Sequence, residues 1–278
     1  FPAKYGDKLS SIVEITQKEG DKNTYKGTLS AGITDLSFSV EGPGGIKNSS
    51  FIVTGRKTFT DFIYLGLSAV SKYIEAQDVN VLYGFHDINA KYSWHPDNKN
   101  SFHFNLYEGD DYFNIWKNEK EVAFNETAKF KYKNIWGNFM TSAVWNRIVN
   151  DKIFVSNIIS YTRYRLKHGT QFYWSNPEDT VNYKIKATSQ LQNIAIQSNW
   201  KYSLLKFWNL EFGIQSFLSI NDPNQYINQF KKSSLIAKTI YGINSAFYLE
   251  NKINLFNILD ANLGIRATNY YSDKYNKF

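Results

Sequence analysis

The sequence is poor in three residue types: it contains no cysteine, one methionine and five prolines among its 278 residues. Without cysteine, a disulfide framework and a thiolate metal site are excluded. No apolar run approaches the roughly 18 residues that a membrane helix needs, and the richest stretch, residues 62–70, is short. The mean hydropathy of −0.44 alone would indicate a soluble protein. Strands that cross a membrane alternate apolar and polar residues, however, so their mean hydropathy is low and does not identify them.

Aromatic residues are abundant, at 17% of the chain, with 20 tyrosines, 21 phenylalanines and 7 tryptophans. Aromatic and β-branched side chains fit pleated, half-buried surfaces. Aromatic residues also form girdles at both interfaces of membrane barrels. The composition therefore favours an all-β protein and is typical of a membrane barrel.

The formal net charge of +7 raises the question of a nucleic-acid partner. In the linear sequence the basic residues are scattered through turns and alternating positions, whereas nucleic-acid-binding proteins gather them on one face. We therefore predict a solvated basic surface and no nucleic-acid partner.

Strict alternation of apolar and polar residues recurs along most of the chain, for example in Leu36-Ser-Phe38-Ser-Val40 and Phe102-His-Phe104-Asn-Leu106. Such a period of two predicts β-strands, and many of these segments reach the 9–11 residues that a tilted bilayer crossing requires. The pattern predicts eleven strands, near 24–33, 35–42, 50–60, 80–95, 100–109, 130–148, 152–166, 182–200, 207–220, 234–250 and 253–270.

The predicted connections alternate between short and long. The short ones lie at residues 42–45 and onward, 96–99, 150–152, 202–205 and 250–252, and all but 202–205 carry Gly, Pro, Asn or Asp, the chemistry of tight turns. The long ones exceed hairpin length and cover residues 61–79, 110–129, 167–181 and 221–233. Short turns on one side and long loops on the other are typical of outer-membrane barrels. The order therefore predicts an antiparallel, up-and-down transmembrane β-barrel.

Two segments differ from this strand pattern. The first long loop is predicted to hold a short helix capped by Thr60 or Asp61, because apolar residues recur there at helical spacing, namely Phe62, Leu65, Ala69 and Tyr73. Residues 1–20 precede the predicted strands and form a separate element.

Residues 1–20 also carry the first of four motifs that resemble one family. The stretch Phe1-Pro-Ala-Lys-Tyr-Gly-Asp-Lys-Leu-Ser-Ser is followed by Lys18-Glu19-Gly20, and Asp7 stands where the family usually has a second glycine. The later motifs are residues 36–43, residues 50–58 and the segment Tyr83-Gly-Phe-His-Asp-Ile-Asn-Ala-Lys91. In this order they resemble TonB-dependent outer-membrane receptors, especially those with a carboxypeptidase-like regulatory domain.

The resemblance implies a barrel of about 22 strands with its lumen closed by an N-terminal plug. Residues 1–20 would then be the C-terminal end of the plug domain, and residues 21–278 the N-terminal half of the barrel. A chain that starts at Phe1 without a signal peptide, and holds an odd number of strands, is expected to be a mature or internal piece of a longer protein.

The resemblance further implies a location in the bacterial outer membrane, with outer-membrane lipid as one partner. Its function would be the import of a nutrient (a glycan, a peptide or a metal chelate), powered by a TonB-type coupling protein. The segment that contacts TonB in such receptors lies N-terminal to any residue of this sequence. Some of these receptors also carry a surface lipoprotein as a lid.

One cluster of candidate ligand contacts lies in the predicted loop 110–129. An acidic pair is followed by aromatic residues there, which suits a sugar, a peptide or a cation; the residues are Asp110, Asp111, Tyr112, Phe113 and Trp116. Packing of the loop's own aromatic side chains is the favoured alternative.

The four histidines provide no clear metal site. His95 and His103 flank one predicted turn, but acidic partners at ligand spacing are missing from the sequence around them. We therefore predict that His95 and His103 are solvated turn residues, and we predict no metal at any of the four histidines, 86, 95, 103 and 168.

No nucleophile, base or paired-carboxylate constellation can be assembled, so neither a catalytic site nor a cofactor is predicted. Two functions compete with transport. One is a non-transporting barrel that serves as scaffold in a surface complex, and the other is a soluble, β-rich surface-binding protein. The alternation of loop lengths argues against the latter.

Overall fold

The computed structural model of the chain describes residues 2–6, 11–60, 62–64, 66, 69–70, 79–121, 125–228, 233–255 and 259–273. Twelve strands follow a 3-10 turn at Ala3–Tyr5. They are β1 (Lys26–Ala31), β2 (Asp35–Pro43), β3 (Ser49–Thr58), β4 (Val79–Trp94), β5 (Asn100–Glu121), β6 (Glu126–Asn150), β7 (Ile153–Ser175), β8 (Thr180–Leu205), β9 (Trp208–Asn228), β10 (Ser233–Ile236), β11 (Ile240–Leu255) and β12 (Leu259–Ser272).

Eleven of these strands form one antiparallel sheet in the order of the chain, from β1 through β9 to β11 and β12. The short strand β10 pairs only with the end of β9. Within the described residues, β1 pairs only with β2 and β12 only with β11, so the sheet is open. The predicted all-β, antiparallel, up-and-down architecture is confirmed, and an open edge on each side is what part of a barrel presents.

Three of the four predicted long loops are wrong, because the strands continue through them. Strand β5 runs to Glu121 and β6 starts at Glu126, while β7 and β8 are separated only by residues 176–179. Strand β9 likewise extends to Asn228. Only the connection between β3 and β4 is long. The predicted alternation of short and long connections therefore reflects the length of the hairpins. On one side of the sheet, which we call the loop end, the hairpins extend far. On the other side, which we call the turn end, they turn early.

Two of the predicted short turns are also misplaced. Residues 202–205 belong to β8, and the chain turns at Lys206 and Phe207. Residues 250–252 lie inside β11, where Glu250 is opposite Glu211 on β9 and Gly264 on β12. Both runs were predicted to be turns, but they are continuing strands, in which successive side chains alternate between the two faces. The turns at residues 95–99 and 151–152 lie where they were predicted, whereas the first turn, at residues 44–48, starts two residues later than predicted because β2 continues to Pro43.

The helix predicted in the first long loop is present in the part that the structure describes, where Thr60, residues 62–64, Gly66 and residues 69–70 are helical. Asp61, Leu65 and Tyr73 lie outside the described residues, as do Phe1 and residues 7–10 of the first motif. Residues 11–24, most of which the resemblance assigns to the end of the plug domain, contain no strand.

The two faces of the sheet are distinguished by the N-terminal segment (residues 2–6 and 11–22), which lies on one of them. Lys91 and His103 contact this segment from β4 and β5. We call the face that the segment contacts the inner face and the opposite one the outer face. Residues opposite each other on neighbouring strands share a face. The strand register therefore places Gln215 and Arg266 on the inner face as well. Both of those residues also contact the N-terminal segment, which confirms the assignment independently.

The sheet has almost no apolar core. Among the described residues only five apolar side chains are buried, namely Ile52, Val155, Ala195, Ala246 and Tyr248. The accessible surface is 18775 Å², whereas a compact monomer of 32.3 kDa would expose roughly 12,000 Å². The structure is therefore a single sheet layer whose inner face is covered in part by the N-terminal segment.

Candidate functional site

An apolar band covers the outer face of the sheet near the turn end. Its members come from nearly every strand and are more than a third exposed, for example Leu36, Phe38, Val40, Ile88, Phe104, Leu106, Ile159, Ile194, Ile196, Ile214, Ile243, Phe247 and Ile265. On β11 the band runs from Tyr241 to Leu249. Nine residues at about 3.4 Å each, tilted by about 40°, rise roughly 23 Å, close to the height of the lipid-facing band of membrane barrels.

Aromatic side chains border this band at the turn end. Trp94 stacks on Phe102 at 5.4 Å between ring centroids, and Phe102 stacks on Trp145 at 6.0 Å. Farther along the sheet, Trp200 and Phe212 stack at 5.9 Å. The indole nitrogen of Trp145 donates to Asn100 Oδ1 at 3.1 Å. An apolar ring with a satisfied polar edge suits the boundary between an apolar and an aqueous region.

The loop end of the same outer face is basic. Across β6, β7 and β8, whose residues are all described, eight basic side chains and no acidic one share this face: Lys129, Lys131, Lys133, Arg163, Arg165, Lys167, Lys184 and Lys186. The expectation that basic residues do not share a face is therefore wrong. The alternation in Lys129-Phe-Lys131-Tyr-Lys133 is the signal that reveals it, because every second residue of a strand points the same way.

Aromatic side chains occupy the inner face at the loop end. Phe113 on β5 lies 6.2 Å from Tyr132 on β6, which lies 5.0 Å from the ring of His168 on β7. Phe172 and Tyr183 are opposite each other on β7 and β8 and belong to the same face. We call these five residues the aromatic cluster.

The five candidate ligand residues do not form one site. They lie on β5 rather than in a loop, so the predicted location is wrong, and the strand's alternation sends them to opposite faces. Asp111 and Phe113 point inward, where Asp111 accepts a hydrogen bond from the Tyr83 hydroxyl at 3.1 Å. The other three point outward: Asp110, Tyr112 and Trp116.

Asp110 has a structural partner. Its carboxylate forms an ion pair with Arg165, two strands away on β7. Gly137 lies between them on β6, opposite both residues. A Cβ at Gly137 would be 1.8 Å from Asp110 Oδ1 and 2.5 Å from the carbonyl oxygen of Gly109. The missing side chain thus makes room for an ion pair that spans three strands.

The first part of the N-terminal segment is held by polar side chains of the inner face. The Ala3 amide donates to Glu250 Oε2 at 2.9 Å, and Gln215 Nε2 donates to the Lys4 carbonyl at 3.3 Å. Arg266 Nη1 donates to the carbonyls of Ala3 and Lys4, both at 3.3 Å. Glu250 is 1% exposed. Buried polar groups require such partners, so this contact is specific.

The second part of the segment lies across β2 to β5. Lys91 Nζ donates to the Gln17 carbonyl at 2.7 Å, and Lys18 pairs with Glu41 at 3.3 Å. Gly20 is buried, and a Cβ there would lie 1.9 Å from the carbonyl oxygen of Phe51. The glycine of the Lys-Glu-Gly motif is therefore needed for a close backbone approach.

Two of the four histidines meet an acidic residue that the sequence did not place near them. His95 and His103 lie on the inner face at the turn between β4 and β5, and Glu19 of the N-terminal segment reaches both rings. His86 lies on the outer face beside Glu108 at 3.6 Å. His168 belongs to the aromatic cluster. Glu19 is 76 residues before His95, so no local pattern could have joined them.

Two carboxylates outside the strands titrate at unusually low pH. The side chain of Asn100 and the amides of Lys99 and Asn100 lower the pKa of Asp97 in the β4–β5 turn. Lys26, followed by the amides of Asn23 and Thr24, lowers the pKa of Asp21. Hydrogen bonds to the charged form have this effect, so both carboxylates stabilise their local turns in the ionised state.

The helical residues that the structure describes do not form a helix of the length and hydropathy that a membrane crossing requires.

Neither a model of a known protein family nor a characterised protein sequence matches the chain.

Proposed function

We propose that this chain spans the bacterial outer membrane as the end of a plug and the first half of the barrel of a TonB-dependent transporter. The observation that carries the proposal is the N-terminal segment, which lies on the polar inner face of a sheet whose outer face carries an exposed apolar band. A plugged outer-membrane barrel has this arrangement, with lipid outside and a plug in the lumen.

The exposed apolar band supports a lipid environment. Ile159, Ile196, Ile214 and Phe247 are neighbours across four strands and are 58%, 59%, 61% and 51% exposed. Soluble proteins rarely leave a contiguous apolar surface of this extent uncovered. Lipid tails would cover the band without any further protein layer.

The loop end supports an outward-facing surface beyond the membrane. Its outer face is basic and follows the apolar band directly, so lysine stems can lie along the apolar boundary while the ammonium groups reach anionic lipid head groups. Its inner face carries the aromatic cluster. Aromatic faces suit the apolar sides of a glycan or a peptide, and we propose that imported substrate passes this cluster.

The membrane location is tested by extraction of the native protein from envelopes. We expect alkaline carbonate to leave the protein in the membrane pellet and detergent to release it. Release by carbonate or salt would contradict the proposal and favour a soluble surface-binding protein.

Transport is tested by the intact mass of the denatured protein and by uptake. A mass two to three times the 32.3 kDa of this chain, together with loss of uptake on removal of the TonB-type protein, is expected for a 22-stranded transporter. A mass near 32.3 kDa would mean that another chain must complete the barrel. Uptake that does not depend on coupling would also favour the scaffold alternative. The proposal assigns no chemical reaction to the chain.

A further inference from the structure

Three side chains with metal-binding atoms meet where the N-terminal segment crosses the β4–β5 turn. Glu19 Oε1 lies 3.6 Å from His95 Nε2 and 3.8 Å from His103 Nδ1. The two imidazole rings are 5.6 Å apart and nearly perpendicular. One ligand atom from each of the three residues lies within 4.8 Å of the other two.

These distances suit a transition-metal ion. Four ligands at about 2.0–2.1 Å in a tetrahedron are separated from one another by roughly 3.4 Å. The two oxygen–nitrogen separations exceed this value by less than half an ångström, so small side-chain rotations would close the site. Two imidazoles and one carboxylate are a ligand set that Zn²⁺ favours, with a fourth position for water.

The surroundings are partly shielded from water. The side chains of His103, His95 and Glu19 are 13%, 29% and 34% exposed. Ser93 is fully buried, and its hydroxyl lies 3.1 Å from His103 Nδ1. This hydrogen bond uses the same His103 nitrogen that faces Glu19, so a metal ion bound at Nδ1 would replace it.

Lys22 supplies a positive charge next to these three side chains. Lys22 Nζ lies 3.3 Å from His95 Nδ1, to which it donates, and 3.7 Å from Glu19 Oε2. A bound divalent ion would take over the attraction to Glu19 and repel this ammonium. Lys22 therefore competes with the metal, which gives the site a variant that is expected to bind more tightly.

The second group of possible ligands, His86, Glu108 and Asp110 on the outer face, is less suitable. Arg165 already neutralises Asp110. Apart from His95 and His103 themselves, Lys22 is the only partner of the Glu19 carboxylate among the ion pairs of the described residues.

We propose that Glu19, His95 and His103 bind a divalent transition-metal ion of the zinc type, which fastens the N-terminal segment to the β4–β5 turn. The inference rests on these three side chains and does not depend on the proposed transport. The bound ion would hold together two parts of the chain that would separate if the segment left the inner face.

Binding of Co²⁺ and Zn²⁺ to the untagged full chain in detergent tests the site. We expect one Co²⁺ ion with the visible absorption of a tetrahedral complex, displaced by Zn²⁺. His95→Ala, His103→Ala and Glu19→Gln should each weaken binding on the order of tenfold or more. Lys22→Met should strengthen it, and His86→Ala and His168→Ala should leave it unchanged.

A wild-type chain that binds no Co²⁺, or a Glu19→Gln variant with unchanged affinity, would overturn the proposal. A loss on His86→Ala equal to that on His103→Ala would move the site to the outer face and overturn it as well. Limited proteolysis of residues 11–22 gives a second readout. Zn²⁺ should slow cleavage in the wild type but not in Glu19→Gln, and equal protection in both would contradict the role of Glu19.

Discussion

The turn-end and loop-end halves of strands β5 to β8 have opposite surfaces. Near the turns, apolar residues such as Phe104 and Ile196 point outward and polar ones such as Asn105 and Gln197 point inward. Near the loops, the lysines of β6, β7 and β8 point outward and the aromatic cluster points inward. The inversion occurs within single strands, between Leu106 and Phe113 on β5.

The spacing at which residues alternate and the polarity of the residues on each face therefore report different properties of a strand. The period of two continues unbroken through both halves because the strands do. The polarity of each face is set by what that face touches. In the proposed membrane location, the outer face that becomes basic corresponds to strands that leave lipid and enter a charged aqueous layer.

The largest effect is expected from a charge in the turn-end half of the outer face. Ile196→Lys should destabilise the protein in lipid vesicles by about 2–4 kcal/mol, because the ammonium would lie near the bilayer midplane. Urea titration measures this change in unfolding free energy. Gln197→Lys, the adjacent residue on the inner face, should change it by less than about 1 kcal/mol. Equal effects of the two variants would remove the distinction between the faces.

A smaller effect is expected where the outer face changes from apolar to basic. Gly137→Ala should destabilise by about 1–3 kcal/mol, because the new methyl group would overlap the Gly109 carbonyl and Asp110 and overpacking has this cost. Gly169→Ala on β7 is the matched control, since its nearest atoms are 3.9 Å away. The same urea titration should find the control within about 0.5 kcal/mol of the wild type.

The inner face of the turn-end half is probed by Gly20→Ala. The added methyl group would overlap the Phe51 carbonyl, so residues 11–22 should detach while the sheet keeps its unfolding free energy. Hydrogen exchange of these amides should accelerate. Gly27→Ala, whose nearest atom is 3.8 Å away, should leave the exchange unchanged. Unaltered protection in Gly20→Ala would show that the close approach does not hold the segment.

The smallest effect concerns Asp97 in the β4–β5 turn. Its pKa is lowered by Asn100 and by the Lys99 and Asn100 amides, so the folded state favours the ionised carboxylate. Its stabilising effect is complete above the unfolded pKa of about 4 and is lost as the pH falls through the lower folded pKa. The stability difference between the wild type and Asp97→Asn should therefore shrink below about pH 4. A difference that grows with acid would contradict the assignment.

Most of the fold could be predicted from the sequence, because alternation and turn chemistry are local. The residues of β2 alternate along the strand, and the turns at 44–48 and 151–152 carry Gly, Asn or Asp. The extensions of β5 and β7 were missed because apolar residues move to the other face there, which reads as a break in the pattern. The charged positions in β11 were mistaken for a turn since Glu250 is buried by a partner far away in sequence.

The candidate sites were less predictable, for physical reasons that differ between them. The separation of Asp110 from Asp111 follows from alternation alone and was available in the sequence once that segment was recognised as a strand. The meeting of Glu19 with His95 and His103 depends on where the N-terminal segment crosses the sheet. The Asp110–Arg165 pair depends on register across three strands.

The most direct test of the account uses nitroxide labels on single cysteines introduced into this cysteine-free chain. Labels at consecutive positions 193–200 of β8 are compared in lipid vesicles for collision with oxygen, which is enriched in lipid, and with a water-soluble nickel chelate. We predict that oxygen accessibility peaks at 194, 196, 198 and 200, and that labels at 184 and 186 prefer the chelate. A chelate preference at 196, or no alternation along 193–200, would contradict a lipid-facing outer surface.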